Sequence, residues 1–297
     1  MNSMTLPDAP AALDPEPPAA DTGTPRRPMT LAVSLKLYLD PEQTLQWCAS
    51  VAGLARSHAA LTEGAARLIV LPSTPNIEAA VRLFTGTGVT VGAQDLFQHD
   101  RGPFTGAVSG TDLAMIGCSY AEVGHLERRQ LFGDDEHVVT LKMQAASRNG
   151  LTPLLCVGEP EPTSTTDAAD YCVTQIGSAL ADHDPALPRP LVVAYEPGWA
   201  IGAAEPARPG HVQVVVNALR GCLDDAGLPD APIIYGGSAG RGTLSNLGTT
   251  VDGLFLGRFA HDVGALRSVL DETARLRRRG VSRPISELKA DPCPVNR

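Results

Sequence analysis

One carboxylate in this sequence has the surroundings of a general base. Glu196 ends the apolar run Leu191–Tyr195 and is followed by a proline, a tryptophan and Gly202, within AYEPGWAIG (194–202). A carboxyl group at the end of a buried strand is partly desolvated, which raises its pKa toward neutral pH. The segment behind it, 197–207, has the composition of a lid that closes over a substrate and excludes water. We predict Glu196 as the base, although an isolated Glu-Pro more often marks an exposed strand end.

His125 and Lys36 are the second and third candidates for chemistry. His125 lies where an apolar run turns into a helical segment, and the dipole of a helix N-terminus disfavours a protonated ring. A neutral imidazole can donate a hydrogen bond to a substrate carbonyl. Lys36 follows the first apolar run and would neutralise an anionic substrate or a developing enolate. The simpler alternatives are a packed histidine and a lysine that faces solvent.

Two glycine-containing segments favour an anion site. Gly236, Gly237 and Ser238 follow one apolar run, and Gly257 with Arg258 follows the next. Glycine lets backbone N–H groups approach a phosphate closely, and a helix start adds its dipole. Each segment alone is also consistent with a tight turn. Glu127 is kept as a further candidate, although an ion pair within the protein is the simpler interpretation of its charge.

Eight short apolar runs alternate with helical patterns, which predicts a single-domain (β/α)8 TIM barrel. Such runs without strict alternation are typical of parallel strands buried on both faces. A doubly wound sheet is the rival, but it calls for a glycine-rich turn after its first strand. The strands are expected at 30–36, 67–71, 89–94, 120–124, 152–157, 191–196, 232–236 and 253–257. Helices are expected after the N-cap Asp40 and at 76–84, 135–147, 168–181, 208–226, 242–247 and 263–277.

Composition limits the class of protein further. A formal net charge of −9 argues against nucleic-acid and anionic-membrane partners. No apolar run approaches the ~20 residues of a membrane helix. The six cysteines are scattered without metal spacing, which predicts a cytoplasmic protein without a structural metal. Residues 1–28, rich in Pro and Ala, and residues 278–297 are predicted to be disordered tails around a barrel of 29–277.

Six segments at barrel spacing resemble motifs of the triose-phosphate isomerase family. The resemblance covers about residues 29–277. AYEPGWAIG resembles the family's base and lid, usually AYEPVWAIGTG, and GHLERRQLFG (124–133) resembles its GHSERR segment. The others are VGAQD with GPFTGAVS (91–109), LLCVGE (154–159), IIYGGS (233–238) and VDGLFLG (251–257). The resemblance implies a TIM barrel and an intramolecular oxidoreductase.

The roles of the site residues follow from this resemblance, as established for that family. Glu196 would move a proton between the two carbons of an aldose–ketose pair of the glyceraldehyde 3-phosphate and dihydroxyacetone phosphate type. Neutral His125 would shuttle protons on the oxygens of the enediolate, and Lys36 would stabilise its charge. Backbone N–H groups of Gly202, Ser238 and Gly257 would hold the phosphate. Thr105 would reach into the partner's site across a homodimer, and no metal or organic cofactor is implied.

Four departures from the family's motifs lie in the substrate shell. Ser34 replaces an asparagine, so that SLKLY stands for NWKMN, and Leu126 replaces the serine of GHSERR. The second half of the lid, usually TGKTA, is AAEPA (203–207), whose proline stiffens the hinge. Arg258 replaces the second glycine after strand 8, where it would add a charged contact to an anion.

These departures leave two substrates open within the isomerase hypothesis. Retention of Lys36, His125 and Glu196 indicates conserved chemistry, and the altered shell indicates an alternative substrate. That alternative is a four-carbon ketose phosphate, such as an erythrulose phosphate. A paralogue that binds phosphometabolites without catalysis is a second class. An aldolase is a third, but it calls for a Schiff-base lysine at a later strand end, and Lys36 follows the first strand.

Overall fold

A closed barrel of eight parallel strands forms the centre of the protein. The computed structural model describes residues 27–181 and 190–280. Each strand pairs with the next along the chain, and the first pairs with the eighth. The strands are β1 (Met29–Ser34), β2 (Ala66–Leu71), β3 (Thr90–Ala93), β4 (Tyr120–Val123), β5 (Thr152–Val157), β6 (Val192–Tyr195), β7 (Ile233–Tyr235) and β8 (Gly253–Leu256).

Alternate side chains of each strand fill the barrel and pack against the helices around it. On β4, Tyr120 belongs to the interior cluster, whereas Ala121 and Val123 belong to the outer layer. The interior cluster also contains Ala32, Ile69, Leu71, Leu154, Cys156, Val192, Ala194, Ile234 and Phe255. Burial on both faces explains why the strands read as apolar runs.

Ten helices surround the described part of the barrel. The first begins with a reciprocal capping box between Asp40 and Gln43, as the predicted N-cap requires. The helices are α1 (Pro41–Ala55), α2 (Ala59–Thr62), α3 (Ile77–Phe84), α4 (Gly110–Met115), α5 (Leu126–Phe132), α6 (Glu136–Arg148), α7 (Thr165–Leu180), α8 (Pro209–Asp225), α9 (Thr243–Leu247) and α10 (Val263–Arg278).

All eight predicted strands and the predicted helices are present, with differences at their ends. The prediction that strand 1 extends to Lys36 is wrong, because β1 ends at Ser34 and Lys36 has a φ of 48°. Three short helices, α2, α4 and α5, had no predicted range. The last helix ends at Arg278 rather than at residue 277. The predicted tails lie outside the described residues, apart from 27–28 and 278–280.

Arg27, inside the range predicted for the N-terminal tail, contacts the barrel domain. The guanidinium of Arg27 pairs with Asp230, and the carbonyl of Arg27 accepts a hydrogen bond from Arg277 on α10. Within 27–181 and 190–280, no helix has the length and apolar character needed to span a bilayer. In the same ranges, no three His, Cys, Asp or Glu side chains are grouped as metal ligands.

Candidate active site

A cavity of about 830 Å³ opens at the carboxyl ends of the strands. This is the end of a TIM barrel where active sites lie, because the loops after the strands meet there. Eight of the predicted site residues line the cavity together: Ser34, Lys36, His125, Glu196, Gly202, Ser238, Gly257 and Arg258. Thr105 does not line it and lies on an exposed loop between β3 and α4.

The carboxyl group of Glu196 is held in the cavity floor immediately after β6. Its backbone N–H donates to the carbonyl of Val157, and only 8% of the residue is exposed. Its Oε2 has no hydrogen-bond partner among the described residues. Burial raises the pKa of Glu196 to about 7, against the opposing effects of the Cys156 thiol and the charge of Lys36. A pKa near neutrality suits a general base.

The next strand leaves room for that carboxyl group by presenting a glycine. A Cβ atom on Gly236 would lie 2.5 Å from Cγ and 2.6 Å from Oε1 of Glu196. Real Cβ atoms do not approach other atoms so closely, so any larger residue would displace the carboxyl group. Gly236 therefore has a packing role beside the base, in addition to its place in the predicted anion-binding turn.

His125 is the N-cap of α5, and this position determines its tautomer. The ring Nδ1 accepts a hydrogen bond from the backbone N–H of Glu127 at 3.1 Å. A backbone N–H can only donate, so a neutral ring carries its proton on Nε2. Burial and the charge of Lys36 lower the pKa of His125 to about 4. Nε2 lies 3.8 Å from Oε2 of Glu196, so the two groups face each other without a hydrogen bond.

Lys36 lines the same cavity and has a left-handed backbone conformation, with a φ of 48°. Its Nζ donates a hydrogen bond of 2.7 Å to Oε1 of Glu127. Burial by itself would lower the pKa of Lys36, but the hydrogen bond and charge of Glu127 and the charge of Glu196 raise it overall. Lys36 is therefore cationic at neutral pH. We call Lys36, His125 and Glu196 the proton-transfer wall.

Gly202, Ser238, Gly257 and Arg258 line the cavity on the side of β7 and β8, and we call them the anion-binding rim. Ser238 has a φ of 51°, and with Lys36 it makes up the non-glycine residues of positive φ in the described chain. Strained backbone of this kind tends to cluster at functional sites. The guanidinium of Arg258 lies 5.5 Å from the ring centroid of Tyr38, a cation–π distance.

The lid contacts the rim and the barrel at both of its ends. At its start, Trp199 Nε1 donates to Oε1 of Glu159 at 2.8 Å, beside Tyr195 and His211, which contact the same carboxylate. At its end, the N–H of Ala207 donates to the hydroxyl of Tyr235 at 2.8 Å. The hydroxyl of Ser238 lies 2.8 Å from the carbonyl oxygens of Ala200 and Ala203. The lid is therefore held over the cavity by specific polar contacts.

The departures from the family's motifs all lie at or beside the cavity. Ser34 and Arg258 line it, and Pro206 of the lid does too. The side chain of Leu126 comes within 2.9 Å of where a Cβ on Gly198 would stand, so it contacts the start of the lid. The substituted positions thus surround the substrate space, while the proton-transfer wall keeps its residue types.

Three charged residues of the site were missed or ranked low by sequence reasoning. Glu127 makes an ion pair as expected, but its partner is the site's own Lys36. Arg241, in the loop after Gly240, lines the cavity, and a basic residue in a glycine-rich loop was the signal for it. Glu122 is buried on β4 with an oxygen lacking a partner, and no sequence signal separated it from an ordinary strand residue.

The geometry fits proton transfer on a small phosphorylated carbonyl compound. A buried carboxylate of raised pKa faces a neutral imidazole of lowered pKa, and a cation lies nearby. Groups whose environments shift their pKa values apart can divide the base and acid roles between them. Two guanidiniums, of Arg241 and Arg258, supply positive charge beside the rim.

Comparisons with known proteins show the family to which the chain belongs. The triosephosphate isomerase family profile matches residues 29–273. The chain is 49% identical to an L-erythrulose-1-phosphate isomerase from Pectobacterium atrosepticum over 252 residues, which is 84% of this chain and 97% of that protein. It is 35% identical to a triosephosphate isomerase from Thermus thermophilus, over 74% of this chain and 88% of that protein. It is also 35% identical to the triosephosphate isomerase of Roseiflexus castenholzii, over 65% of this chain and 79% of that protein.

The profile match includes all eight strands, and the match to the L-erythrulose-1-phosphate isomerase covers nearly the full length of that protein. The profile match alone extends over far more than half of the chain. Fold, cavity and similarity therefore point to the same conclusion: this protein is an isomerase of the triosephosphate isomerase family.

Proposed function

We propose that this isomerase acts on a four-carbon ketose phosphate of the L-erythrulose 1-phosphate type. The observation that carries the proposal is the contrast within the site. The proton-transfer wall keeps the family's residue types, whereas Ser34 and Arg258 depart from its usual asparagine and glycine on the substrate-facing surface. The higher identity to the L-erythrulose-1-phosphate isomerase than to the triosephosphate isomerases supports the same substrate.

Glu196 removes the proton that begins the reaction. In a ketose 1-phosphate of four carbons the carbonyl is at C2, and C3 carries a hydrogen, a hydroxyl and the terminal hydroxymethyl group. The carboxylate takes the proton from C3, and the electrons of that C–H bond form the C2=C3 bond of an enediolate. The protonated Glu196 then returns a proton to C2. The raised pKa of about 7 makes both transfers accessible near neutral pH.

His125 and Lys36 act on the oxygens of the enediolate. The Nε2–H of His125 donates to the oxygen that carries the developing charge, and moves a proton between the two oxygens. Because burial and Lys36 lower the pKa of His125 to about 4, the ring is neutral in this step. The ammonium group of Lys36 stabilises the negative charge, which is largest in the enediolate.

The anion-binding rim holds the phosphate through backbone N–H groups and Arg258. The lid excludes water, which would otherwise allow the enediolate to eliminate phosphate. With the phosphate on C1, transfer from C3 to C2 moves the carbonyl to C3. The product is the four-carbon ketose with the phosphate at its other end, the 4-phosphate, so this reaction interconverts two ketoses. On a triose phosphate the same steps interconvert a ketose and an aldose.

A comparison of kcat/KM on L-erythrulose 1-phosphate and glyceraldehyde 3-phosphate tests the substrate. We expect a preference for the four-carbon compound of at least ~100-fold, because a site that hydrogen-bonds a hydroxyl rejects substrates that lack it. Glu196→Gln serves as the background control for both substrates. A preference for the triose would establish a triosephosphate isomerase instead. If the protein binds both substrates but its turnover does not depend on Glu196, it is a paralogue that binds phosphometabolites without catalysis.

We also propose that the protein forms a homodimer through the side of the barrel near Lys36. Exposed apolar side chains lie there, with Leu37 85% and Leu131 75% exposed, and Phe132 beside them. Contiguous apolar surface of this kind marks an interface in soluble proteins. The exposed loop that carries Thr105 would enter the partner's cavity, which is lined by Leu37, Leu131 and Phe132.

Sedimentation equilibrium tests the dimer directly. The wild type should sediment at twice the chain mass of 31.1 kDa. Thr105→Arg places a charge in the contact and should shift the equilibrium toward monomer, whereas Thr85→Arg, on the far surface after α3, should leave it unchanged. A monomeric wild type at micromolar concentration would overturn the proposal.

A further inference from the structure

Glu122 points into the barrel, where its carboxyl group shares a hydrogen bond with the side chain of Ser34 and keeps one oxygen without a partner among the described residues. It lies on β4 between Ala121 and Val123, which face the helices, so its side chain shares the interior face with Tyr120. The residue is 3% exposed, and its Oε2 has no hydrogen-bond partner in the described chain. A buried carboxyl oxygen without a partner costs free energy, and a hydrogen bond from a substrate group would offset that cost.

The charges around Glu122 favour its neutral form. Burial is the largest cause and raises the pKa of Glu122 well above its usual value, and the charge of Glu196 adds to this. Lys36 and the hydroxyl of Ser34 lower the pKa in part. Lys36 makes its close contact with Glu127, at 2.7 Å, so it does not neutralise Glu122 as a direct partner. A neutral carboxyl has one donor and one acceptor, as a bound hydroxyl group needs.

Glu122 lies on the side of the barrel where the end of the substrate that carries no phosphate would lie. It lines a second cavity of about 530 Å³, together with Ser34, Lys36 and His125. Those last three residues also line the larger cavity, so the two spaces meet at them. The rim lies at β7 and β8, and β4 is four strands away from β8 in the closed barrel. A substrate held by its phosphate at the rim therefore directs its other end toward β4.

A four-carbon ketose 1-phosphate differs from its triose counterpart at that end. The additional hydroxymethyl group is attached to C3, which gives up the proton, and C3 lies on the opposite side of the carbonyl from the phosphate. The serine at position 34 is smaller than the asparagine usual in the family, and this leaves space beside Glu122. The two side chains together supply the volume and the hydrogen-bonding groups for one more CH2OH.

We propose that the carboxyl group of Glu122, with the hydroxyl of Ser34 beside it, binds the terminal hydroxymethyl group of a four-carbon substrate. This inference rests on the proposed function and names its specificity-determining contact. Glu122 takes no part in the proton transfer, so its contribution is selective for the longer substrate.

The test is kcat/KM of the full chain on L-erythrulose 1-phosphate and on dihydroxyacetone phosphate. Glu122→Leu removes both polar atoms and should lower kcat/KM on the four-carbon substrate ~10–100-fold, the usual effect of losing a buried hydrogen bond. Its kcat/KM on the triose should stay within about threefold, since the triose lacks the recognised group. Glu122→Gln keeps a donor and an acceptor and should lose less than Glu122→Leu on the four-carbon substrate. Glu78→Gln, an exposed carboxylate on α3, is the control.

A second variant keeps the test decisive even if Glu122→Leu does not fold. Ser34→Asn fills the space with the residue usual in the family, and it should lower the ratio of kcat/KM on the four-carbon substrate to kcat/KM on the three-carbon substrate. Equal losses on both substrates in Glu122→Gln and Ser34→Asn would overturn the inference and indicate that Glu122 positions Lys36. If the wild type does not turn over L-erythrulose 1-phosphate, the proposed function fails as well. If it does and the ratio is insensitive to both variants, only this inference fails.

Discussion

The proton-transfer wall and the anion-binding rim differ in how they are built. The wall consists of side chains held in the protein interior, with Glu196 and His125 only 8% and 4% exposed. Its reactivity comes from burial, which raises the pKa of the carboxyl group and lowers that of the imidazole. The rim consists of loop backbone and of an arginine on the surface, and the lid contacts it through Ser238.

This difference explains where the chain departs from the family's usual motifs. A change in the wall alters pKa values and proton transfer together, so few residue types are compatible with the chemistry. A change in the rim, or in another cavity-lining residue outside the wall, alters which molecule fits. The residues that depart, Ser34, Leu126, Pro206 and Arg258, all lie outside the wall. We therefore propose that chemistry and selectivity are separable in this site, and each variant below tests one of them.

Glu196→Gln should have the largest effect, because it removes the base and keeps the shape of the side chain. We expect kcat to fall by ~10³–10⁴-fold on any substrate. The melting temperature should change little, since the amide replaces a buried charge without creating a cavity. Glu205→Gln, on the exposed part of the lid, is the control. Turnover within tenfold of the wild type would remove Glu196 from the role of base.

Gly236→Ala tests whether the position of the base is as important as its presence. The added Cβ would lie 2.5 Å from Cγ of Glu196 and must displace the carboxyl group. A displacement of about 1 Å costs ~10²-fold in rate in well-oriented sites. Gly53→Ala, where a Cβ would contact nothing within 4 Å, is the matched control. Unchanged kcat in a folded Gly236→Ala variant would contradict the tight placement.

The pH profile of kcat/KM should report the protonation of Glu196. Protonation removes the base, so activity should fall about tenfold per pH unit as the pH decreases below about 7. Because the pKa of His125 is lowered to about 4, its titration should add no break to the profile above about pH 4. The Cys156 thiol lowers the pKa of Glu196, so Cys156→Ala should move the break to higher pH. A break that does not move belongs to another group, such as the substrate phosphate.

Arg258→Ala should have the smallest effect of the four and should act on binding. Loss of one charged hydrogen bond to phosphate should raise KM ~10-fold and leave kcat nearly unchanged. Arg267→Ala, exposed on α10, removes the same charge elsewhere. Because both substrates carry the phosphate, we expect KM to rise on the four-carbon and the three-carbon substrate in Arg258→Ala and on neither in Arg267→Ala. If the KM values of Arg258→Ala on both substrates equal those of the wild type, Arg258 does not contact the substrate.

The order of elements and the strand ends could be predicted from the chain because both depend on local patterns. Each apolar run has the length of a strand buried on both faces, and Asp40 caps its helix through residues four positions away or fewer. Eight such units close into one architecture, and its geometry brings the residues after the strands to one mouth. Lys36, His125 and Glu196 therefore line one cavity, as expected, although up to 160 residues of chain separate them.

The environment of each side chain could not be read in this way. Glu122 and Glu196 are both glutamates in or after apolar strands. Their sequence neighbourhoods do not show that each buries an oxygen without a hydrogen-bond partner, or that Glu122 lines the second cavity. The ion pair of Lys36 with Glu127 joins residues from β1 and α5 that only the closed barrel brings within 2.7 Å. The close approach of Gly236 to Glu196 likewise depends on the packing of β6 beside β7.

The amino-acid sequence by itself determined the barrel, the family and the residue types that we propose move protons, because these follow from short-range patterning and from motifs that stay in order. Tertiary structure decided how acidic those residues are, since burial and the distance between charges set a pKa. It also brought Glu122, on a strand four places from β8 in the barrel, next to Ser34 at the end of β1. Selectivity depends on that arrangement, which exists only once the eighth strand closes on the first.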